Sequence, residues 1–409
     1  MSTTSNRTTR RRWQRSFAAL AALSLTAAAC GSDEEAAEEP ATTEAAADDA
    51  VTEEEPADDA VTEEEPAEDE ATEEEPAEEA PAANLDFDAN GDGEVRIGIA
   101  AAGPRDDGGY YQAVVDAAES FSAENGFGDV IVVDNIQSAD AATELSNLAQ
   151  QPIDIMIVGA SEIAEPMGDL AEEFSDIFWY CNCGAGFPES EFYLQSQDNG
   201  AGIAYTAGVA TGLALRDSGG DSVTFIGCCD LGFEIQHYLA YQLGLAAVDE
   251  SFEFTYVPSG DFPFDFDNIQ NATAAYENAV AEGADAIYPY LGGAHEPVVQ
   301  LANEGGQLVL SAGASDVCTR EGELSWDIAV RFDGGDYVRE IFPQILAGTA
   351  NEGEVITYSP GEDPDVAGAL ICDPTDEQAE ELLEAYALVA SGELDGEFGR
   401  IAGEAFGGG

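Results

Sequence analysis

Residues 95–121, VRIGIAAAGPRDDGGYYQAVVDAAESF, decide the fold of this chain. The stretch opens with a short apolar run that contains β-branched residues, which predicts a buried strand over 95–101. A Gly-Pro pair at 103–104 then interrupts the chain. Apolar residues next recur with the spacing of one helical face, at Val114, Ala118 and Phe121. A strand followed at once by a helix is the opening unit of a parallel α/β sheet.

The same alternation continues along the chain to about residue 311. Further strands are predicted at 130–133, 153–158, 178–181, 223–227, 254–257, 286–290 and 308–311. Helices are predicted at 139–150, 161–174, 201–215, 233–248, 268–282 and 296–304. The pattern predicts an α/β protein with two doubly wound parallel-sheet lobes joined by a hinge. We assign residues 93–197 and about 325–350 to the first lobe, and residues 198–324 and about 351–409 to the second.

Most of the unusual residues directly follow the predicted strands. In open parallel sheets a ligand binds beyond the carboxyl ends of the strands. Two lobes that face each other across such ends therefore predict a cleft that closes on a small molecule. The candidate ligand-binding residues are Asp107, Tyr110, Tyr111, Gln112, Asn182, Asp230, Gly292, Gly293, His295, Asp316 and Arg331.

Some of these candidates have an alternative, structural role. Consecutive aromatic rings just past a strand, as at Tyr110 and Tyr111, favour stacking in a pocket. Asp107 could instead cap the helix that follows it. Arg331 is one of only seven Arg after residue 92, and a structural salt bridge is its rival role.

Catalysis finds little support in the sequence. No G-x-S-x-G, Walker loop or H-E-x-x-H motif occurs. Of the two histidines, His237 lies in a predicted helix and is expected to be structural, whereas His295 follows a strand end and could reach a ligand. The sequence therefore indicates a binding protein that is not an enzyme and has no cofactor or metal.

The charge balance excludes nucleic acid as a partner. The chain has 84 Asp and Glu against 12 basic residues, and all 12 are Arg. Phosphates would be repelled by such a surface. Residues from 93 onward contain 57 of the acids and 7 Arg. This indicates a strongly hydrated surface suited to a salty habitat, with recognition of a cationic partner as the alternative.

The first 30 residues read as an export signal. Five Arg and no acid precede an apolar stretch, 16–29, which ends in small residues immediately before Cys30. This pattern is typical of a signal peptide. The end of the stretch resembles a lipobox, so Cys30 is expected to carry a lipid that anchors the protein to the outer face of the cytoplasmic membrane. The run Arg10–Trp13 resembles a twin-arginine signal, which leaves export after folding as an alternative.

Residues 31–92 predict a disordered acidic stalk. They contain 27 acids, and TEEEPA recurs after Val51, Val61 and Ala71. Such a segment cannot bury enough apolar area to offset its ordering entropy, and its charges repel one another. Its last part, 86–92, has the oxygen spacing of an EF-hand calcium loop without the Glu at the twelfth position. A polar turn leading into the first strand is the interpretation we prefer.

Six cysteines remain besides Cys30, namely Cys181, Cys183, Cys228, Cys229, Cys318 and Cys372. An even number in an exported domain predicts disulfides, and six cysteines allow fifteen complete pairings. A thiolate metal site is the alternative, but an oxidising compartment and adjacent cysteines favour bridges. We expect pairs within a lobe or between loops near the hinge, and Cys318 with Cys372 is the first choice.

Residues 96–350 resemble the basic membrane lipoprotein family, also described as PnrA-like purine nucleoside receptors. Asp107–Gln112 stands where that family has an Asp-x-Ser-Phe-Asn-Gln type of motif. Tyr110 matches the aromatic residue that stacks on the base, and Tyr111 replaces the Asn. Phe225–Cys228 resembles the family's strand that ends in paired glycines, with Cys in place of the second Gly.

Further positions of the resemblance follow later strands. Gly292 and Gly293 follow an apolar strand as they do in that family. Arg331 matches its cleft Lys, Asn182 stands at the place of an acidic residue, and Asp316 is nearest to a later Asp.

The resemblance implies a type I periplasmic-binding-protein fold. It also implies a lipid-anchored solute-binding protein that takes up a nucleoside-like molecule between its lobes. Its partners would be the permease and ATPase subunits of an ABC importer. The alternatives are a ligand-sensing surface lipoprotein without a transport role and, less favoured, an exported hydrolase.

Overall fold

The computed structural model describes residues 87–184, 187–261 and 264–407. The predicted signal peptide, its lipidation site Cys30 and the predicted stalk up to residue 86 lie outside the described residues. Within the described part, no helix is both long enough and apolar enough to cross a membrane.

The first lobe is built on a parallel sheet of six strands. These are β1 (Ile97–Ala100), β2 (Ile131–Val133), β3 (Ile155–Val158), β4 (Phe178–Asn182), β5 (Leu194–Asp198) and β11 (Val355–Tyr358). They lie in the order β11-β5-β4-β3-β1-β2. Strands β1 and β3 are buried along their whole length, which explains why they contain almost only apolar residues.

Helices cover both faces of this sheet. They are α1 (Tyr110–Glu124), α2 (Ala141–Ala149), α3 (Met167–Glu173) and α8 (Gly334–Leu346). Successive side chains of a strand point to opposite faces, so Ile155 and Ile157 of β3 pack with α1 and α8. Met156 and Val158 pack with α2 and α3 on the other face. The strand thus contributes to two hydrophobic cores at once.

The second lobe contains a parallel sheet of four strands and an antiparallel pair. The four strands are β6 (Ser222–Gly227), β7 (Glu253–Pro258), β8 (Ala286–Pro289) and β9 (Leu308–Val309), in the order β7-β6-β8-β9. The pair consists of β10 (Ile328–Arg331) and β12 (Gly368–Ile371). The helices are α4 (Gly200–Ser218), α5 (Gly232–Val248), α6 (Ile269–Glu282), α7 (His295–Gly305), α9 (Asp376–Ser391) and α10 (Asp395–Phe406).

Helices α4 and α5 approach closely because each supplies a glycine where they cross. A Cβ atom on Gly208 would collide with the carbonyl oxygen of Tyr241, and one on Gly244 with the carbonyl oxygen of Tyr205. Any larger residue at either position would push the two helices apart, and closely packed interiors tolerate such shifts poorly. This close crossing therefore holds α4 and α5 together within the second lobe.

Over the residues that the structure describes, the chain passes between the lobes three times. The connections run from β5 to α4, from β10 to α8 and from β11 to β12. The predicted fold class, an α/β protein with two doubly wound parallel-sheet lobes, is confirmed by this arrangement.

Strands β10 and β11 each lie in the opposite lobe to the one that the sequence analysis assigns to them. Strand β10 falls in the range given to the first lobe, but it pairs with β12, and Ile328 forms a bridge with Leu310 beside β9. Strand β11 falls in the range given to the second lobe, but it pairs with β5 of the first sheet. These pairings join strands that are far apart in sequence, and local patterns do not encode them.

The segment before β1 forms a polar turn. The carboxylate of Asp88 accepts hydrogen bonds from the backbone N–H groups of Gly91 at 2.7 Å, Asp92 at 3.1 Å and Gly93 at 2.9 Å. Among the described residues, no group of three or more His, Cys, Asp or Glu side chains is arranged to hold a metal ion.

Candidate ligand-binding cleft

A cleft of about 1000 Å³ lies between the carboxyl ends of the two parallel sheets. Loops that follow β1 to β5 form its first wall, and loops that follow β6 to β9 form most of the second. The volume is at the upper end of the range of small-molecule pockets. The predicted residues that line this cleft are Asp107, Tyr110, Tyr111, Asn182 and Gly292.

Two tyrosines at the start of α1 dominate the first wall. The rings of Tyr110 and Tyr111 are perpendicular, with centroids 5.5 Å apart. The hydroxyl of Tyr110 donates to the carbonyl of Asn182 at 3.3 Å, and that of Tyr111 donates to Oε1 of Glu162 at 3.4 Å. Gly103 allows this position of the Tyr111 ring, because a Cβ atom there would strike the ring. Both rings are thus held at the edge of the first sheet.

Asp107 caps α1. Its carboxylate accepts the backbone N–H groups of Gly109 at 2.9 Å, Tyr111 at 3.3 Å and Gln112 at 3.0 Å. These amides belong to the first turn, where they have no partner within the helix. Burial raises the pKa of Asp107, although the three amides oppose this. The structure therefore supports the capping role for a residue that also borders the cleft.

Asn182 uses its side chain to hold the first wall together. Its Nδ2 donates to the carbonyl of Gly334 at 3.2 Å, and its Oδ1 accepts from the Ser196 hydroxyl at 3.0 Å. The residue is only 2% exposed. Both polar groups of the amide are therefore engaged within the protein, where the resembled family has an acid.

Two acids that the sequence analysis missed stand at the base of the first wall. Glu162 follows β3 and Asp198 ends β5, and both line the cleft. Burial raises the pKa of Glu162, and it raises the pKa of Asp198 to about 6. Desolvation disfavours the charged form of a carboxyl group, which is the cause of both shifts. Glu162 follows a strand end, where ligand-binding residues are expected, but the sequence pattern assigns it to a predicted helix over 161–174.

An aromatic group forms the second wall. Tyr290 follows β8, and its ring centroid lies 4.7 Å from that of His237 and 5.6 Å from that of Phe332. His237 exchanges a hydrogen bond of 2.8 Å with the hydroxyl of Tyr288, and burial lowers the pKa of its imidazole to about 3. The imidazole is therefore neutral at physiological pH. His237 is bonded as a structural histidine, but it also lines the cleft.

The mouth of the second wall is shaped by a loop after β6. The carboxylate of Glu234 accepts the backbone N–H groups of Cys228 at 2.6 Å, Cys229 at 3.1 Å and Leu231 at 3.4 Å. Gly227 leaves room for this carboxylate, because a Cβ atom there would collide with it. Further aromatic residues at the mouth are Phe233, Phe264, Phe266 and Phe406.

Three predicted site residues border a separate hollow of about 710 Å³, which shares Asp107 with the cleft. They are Gln112, Gly293 and Asp316. Oε1 of Gln112 accepts the backbone N–H of Gly108 at 3.1 Å, and the carboxylate of Asp316 pairs with Arg320 at 2.6 Å. The side chains of Gln112 and Asp316 thus have partners in the protein.

Three further candidates line neither cavity. Arg331 donates to the carbonyl groups of Pro364 and Asp365 and to the hydroxyl of Tyr386, so it ties β10 to the segment before β12. The predicted ligand contact of Arg331 is therefore replaced by structural bonds.

His295 and Asp230 also point elsewhere. His295 is buried, with Nδ1 bonded to the Pro289 carbonyl at 2.8 Å and Nε2 accepting from the Trp326 indole at 3.2 Å. Burial lowers the pKa of this histidine to about 4. Asp230 is exposed, has a backbone φ of 57° and donates its N–H to the hydroxyl of Tyr256. Their positions after strand ends predict that both line the cleft, but neither does so.

The six cysteines after Cys30 form three disulfides. The bonds are Cys181–Cys183, Cys228–Cys229 and Cys318–Cys372. The third is the pairing that the sequence analysis favours, and it joins the loop after β9 to the residue after β12 within the second lobe. Of the other two, Cys181–Cys183 spans the end of β4 in the first lobe, and Cys228–Cys229 follows β6 in the second.

Comparison with solved structures shows the same fold. A solute-binding protein of an ABC transporter system from Aeropyrum pernix K1 superposes with a TM-score of 0.61 at 13% identity, covering 76% of this chain and 99% of that one. A similar protein from Conexibacter woesei DSM 14684 gives a TM-score of 0.56 at 19% identity, covering 73% and 97%. The fold is therefore that of the type I periplasmic binding proteins, as predicted.

The sequence comparisons identify the family. No curated protein matches the chain closely. The family described as ABC transporter substrate-binding protein PnrA-like matches residues 94–359, which is more than half of the chain. Proteins of this kind bind small molecules outside the cytoplasm for the membrane subunits of an ABC transporter. The chain thus belongs to the PnrA-like family of ABC transporter substrate-binding proteins.

Proposed function

We propose that the chain is the lipid-anchored receptor of an ABC importer and that it binds a nucleoside-like solute in its interlobe cleft. The lipid on Cys30 would keep the protein at the membrane, and residues 31–92 would give the lobes reach toward the permease. Closure of the lobes favours the bound state without making or breaking a covalent bond.

The observation that carries this proposal is the pairing of aromatic rings with carboxylates. Tyr110 and Tyr111 on the first wall and Tyr290 on the second border one space. A planar base can stack on such rings. Glu162 and Asp198 line the same cleft and can accept hydrogen bonds from donor groups of a nucleoside. These two acids would replace the carboxylate that the resembled family has at the position of Asn182.

The charge of the cleft supports a nucleoside over a nucleotide. None of the described residues that line the cleft is Arg, and the chain contains no Lys. A phosphate group would meet carboxylates without a compensating cation, which is unfavourable in a desolvated site.

Isothermal titration calorimetry on the purified chain tests the ligand class. Adenosine, guanosine and inosine are compared with AMP and with ribose. We expect at least one nucleoside to bind with a Kd that is about tenfold or more below those of AMP and ribose, because stacking and hydrogen bonds act together. Equal or tighter binding of AMP would contradict the proposal.

The lipid anchor is tested separately by mass spectrometry of the protein recovered from membranes. We expect an N-terminal fragment that begins at Cys30 and carries acyl chains, and we expect Cys30→Ala to release the protein into the medium. A membrane-bound Cys30→Ala protein of unchanged mass would show that another segment anchors the chain.

A further inference from the structure

The cleft has a strongly one-sided charge. Its described lining contains six acids and no basic side chain that is charged at neutral pH, since His237 is kept neutral by burial. The acids are Asp107, Glu162, Asp198, Asp261, Asp265 and Asp267. The seven Arg after residue 92 do not line the cleft, and each is engaged by acids or carbonyl groups elsewhere.

Three of these acids are satisfied by protein donors. Asp107 accepts the amide of Gly109, which precedes α1, and those of Tyr111 and Gln112 in its first turn. Asp265 accepts from the Asn268 side chain at 2.9 Å, and Asp267 accepts the backbone N–H of Gly293 at 2.6 Å. The positions of these three acids beside the cleft are therefore explained by the loops and the helix that they stabilise.

Glu162 and Asp198 differ from those three. The Oε2 atom of Glu162 is buried and has no hydrogen-bond partner among the described residues. Neither carboxylate forms an ion pair within the described part of the chain. An unpaired carboxylate in a desolvated position is costly, and buried acids are normally paired.

The two carboxylates and aromatic rings of both lobes line the same cleft, and Oε1 of Glu162 accepts from the Tyr111 hydroxyl at 3.4 Å. Burial is the main cause of the raised pKa of Tyr110 in the first lobe and of Tyr290 in the second, and the negative charges of the two carboxylates add to it. Two acids and two ring systems thus border the same region of the cleft. Carboxylates beside aromatic faces form a favourable environment for organic cations.

We propose that the solute is a cation whose positive charge lies against Glu162 and Asp198, between the Tyr110 and Tyr290 rings. The inference rests on the proposed function, because it concerns the same cleft and solute. A neutral guest would leave both acids uncompensated as the lobes exclude water, whereas a cation pairs with them. The solute class is a nucleoside with a positively charged base, such as one methylated on a ring nitrogen.

The test compares solutes that differ mainly in charge. 1-Methyladenosine is a cation at neutral pH, and its isomer N6-methyladenosine is neutral. Tryptamine and tryptophol form a second pair, in which an ammonium replaces a hydroxyl. Calorimetry on the purified chain should give a Kd for 1-methyladenosine that is about tenfold or more below that of N6-methyladenosine, as expected for a charge-assisted contact.

Variants test whether Glu162 and Asp198 contact the positive charge of the solute. Glu162→Gln and Asp198→Asn should each reduce the preference for 1-methyladenosine about three- to tenfold, while the Kd of N6-methyladenosine changes little. Asp169→Asn removes an acid from the exposed surface of α3 in the same lobe and should leave the preference unchanged. Thermal unfolding of each variant checks its folding, and the comparison of isomers on the unaltered chain needs no variant.

The outcomes separate the two proposals. Equal binding of the two methyladenosines would overturn the cation proposal and leave the nucleoside proposal standing. Binding of tryptamine without tryptophol or any nucleoside, lost in Glu162→Gln, would support the cation and overturn the nucleoside. A preference for 1-methyladenosine that survives in both variants would place the charge elsewhere and overturn the assignment to Glu162 and Asp198.

Discussion

The two walls of the cleft differ in how their polar groups are satisfied. The first wall contains Glu162 and Asp198, whose carboxylates have no ion-pair partner among the described residues. The second wall is aromatic, and its histidine is bonded to Tyr288. The comparison teaches that the first lobe supplies carboxylates without an ion pair, whereas the second supplies aromatic rings and acids, such as Asp265 and Asp267, that protein donors satisfy. A solute with a polar, charged edge and a flat face would match both.

The largest effect is expected from truncating the second wall. Tyr290→Ala should weaken binding of adenosine and 1-methyladenosine alike by about 2–3 kcal/mol, roughly 30- to 150-fold in Kd, because ring burial is lost for both. Tyr238→Ala removes a ring of the same lobe that packs outside the cleft and should leave both Kd values unchanged. A loss confined to 1-methyladenosine would break the division between the walls.

The second wall should also respond to acid. The pKa of His237 is about 3 in the folded protein, below its ordinary value of about 6.5. The neutral residue therefore supports folding above pH 6.5, and this support is lost as the pH falls toward 3. His237→Gln should reduce the fall in the free energy of unfolding between pH 6.5 and 4 by about 2 kcal/mol.

Chemical unfolding at a series of pH values measures this difference. His295 also has a lowered pKa, so the variant should remain partly sensitive to acid. Parallel pH curves for the variant and the unaltered chain would show that His237 is protonated without cost.

The first wall should respond to pH in the opposite sense. The pKa of Asp198 is raised to about 6, above its unfolded value. The group therefore supports folding fully at low pH, and its support is lost as the pH rises through about 6. Asp198→Asn should raise the free energy of unfolding by about 1–2 kcal/mol at pH 7.5 and leave it unchanged at pH 3.

The exposed Asp169→Asn is the matched control, and it should not alter the pH dependence. Destabilisation by Asp198→Asn at pH 7.5 would show that the carboxylate has a partner in the empty protein. That result would remove the contrast between the walls.

The smallest effect is expected at Asp107, the acid of the first wall whose carboxylate accepts hydrogen bonds from backbone amides. Asp107→Ala should lower the free energy of unfolding by about 1 kcal/mol, as other losses of helix caps do. Asp107→Asn keeps an acceptor oxygen and should lose less. A large loss of solute affinity at unchanged stability would instead make Asp107 a ligand contact.

The sequence predicts those parts of the fold and cleft that local patterns encode. The apolar runs of β1 and β3 and the tyrosines after β1 are identified because a buried parallel strand and its carboxyl end have a clear local signature. Strand β5 reads LQSQD and has no such signature, so the strand and its terminal Asp198 were missed. Its pairing with β4 and β11 alone reveals it.

Side-chain direction is the second limit. The rarity of arginine and the resemblance to a cleft Lys predict a ligand contact for Arg331, but its guanidinium donates to carbonyl groups of the chain before β12. That chain comes within reach only through the antiparallel pairing of β10 with β12. The position of a residue after a strand is therefore predictable from the sequence, whereas the hydrogen-bond partner of its side chain depends on distant segments.

The threefold passage of the chain between the lobes has an energetic consequence for solute capture. Each connection limits how far one lobe can move along the other. The two lobes have therefore lost translational freedom relative to each other before a solute binds. Little further order has to be imposed when the lobes meet, and preorganised partners of this kind bind more tightly for the same contacts. Lengthening a single connection should thus weaken capture without altering any residue that touches the guest.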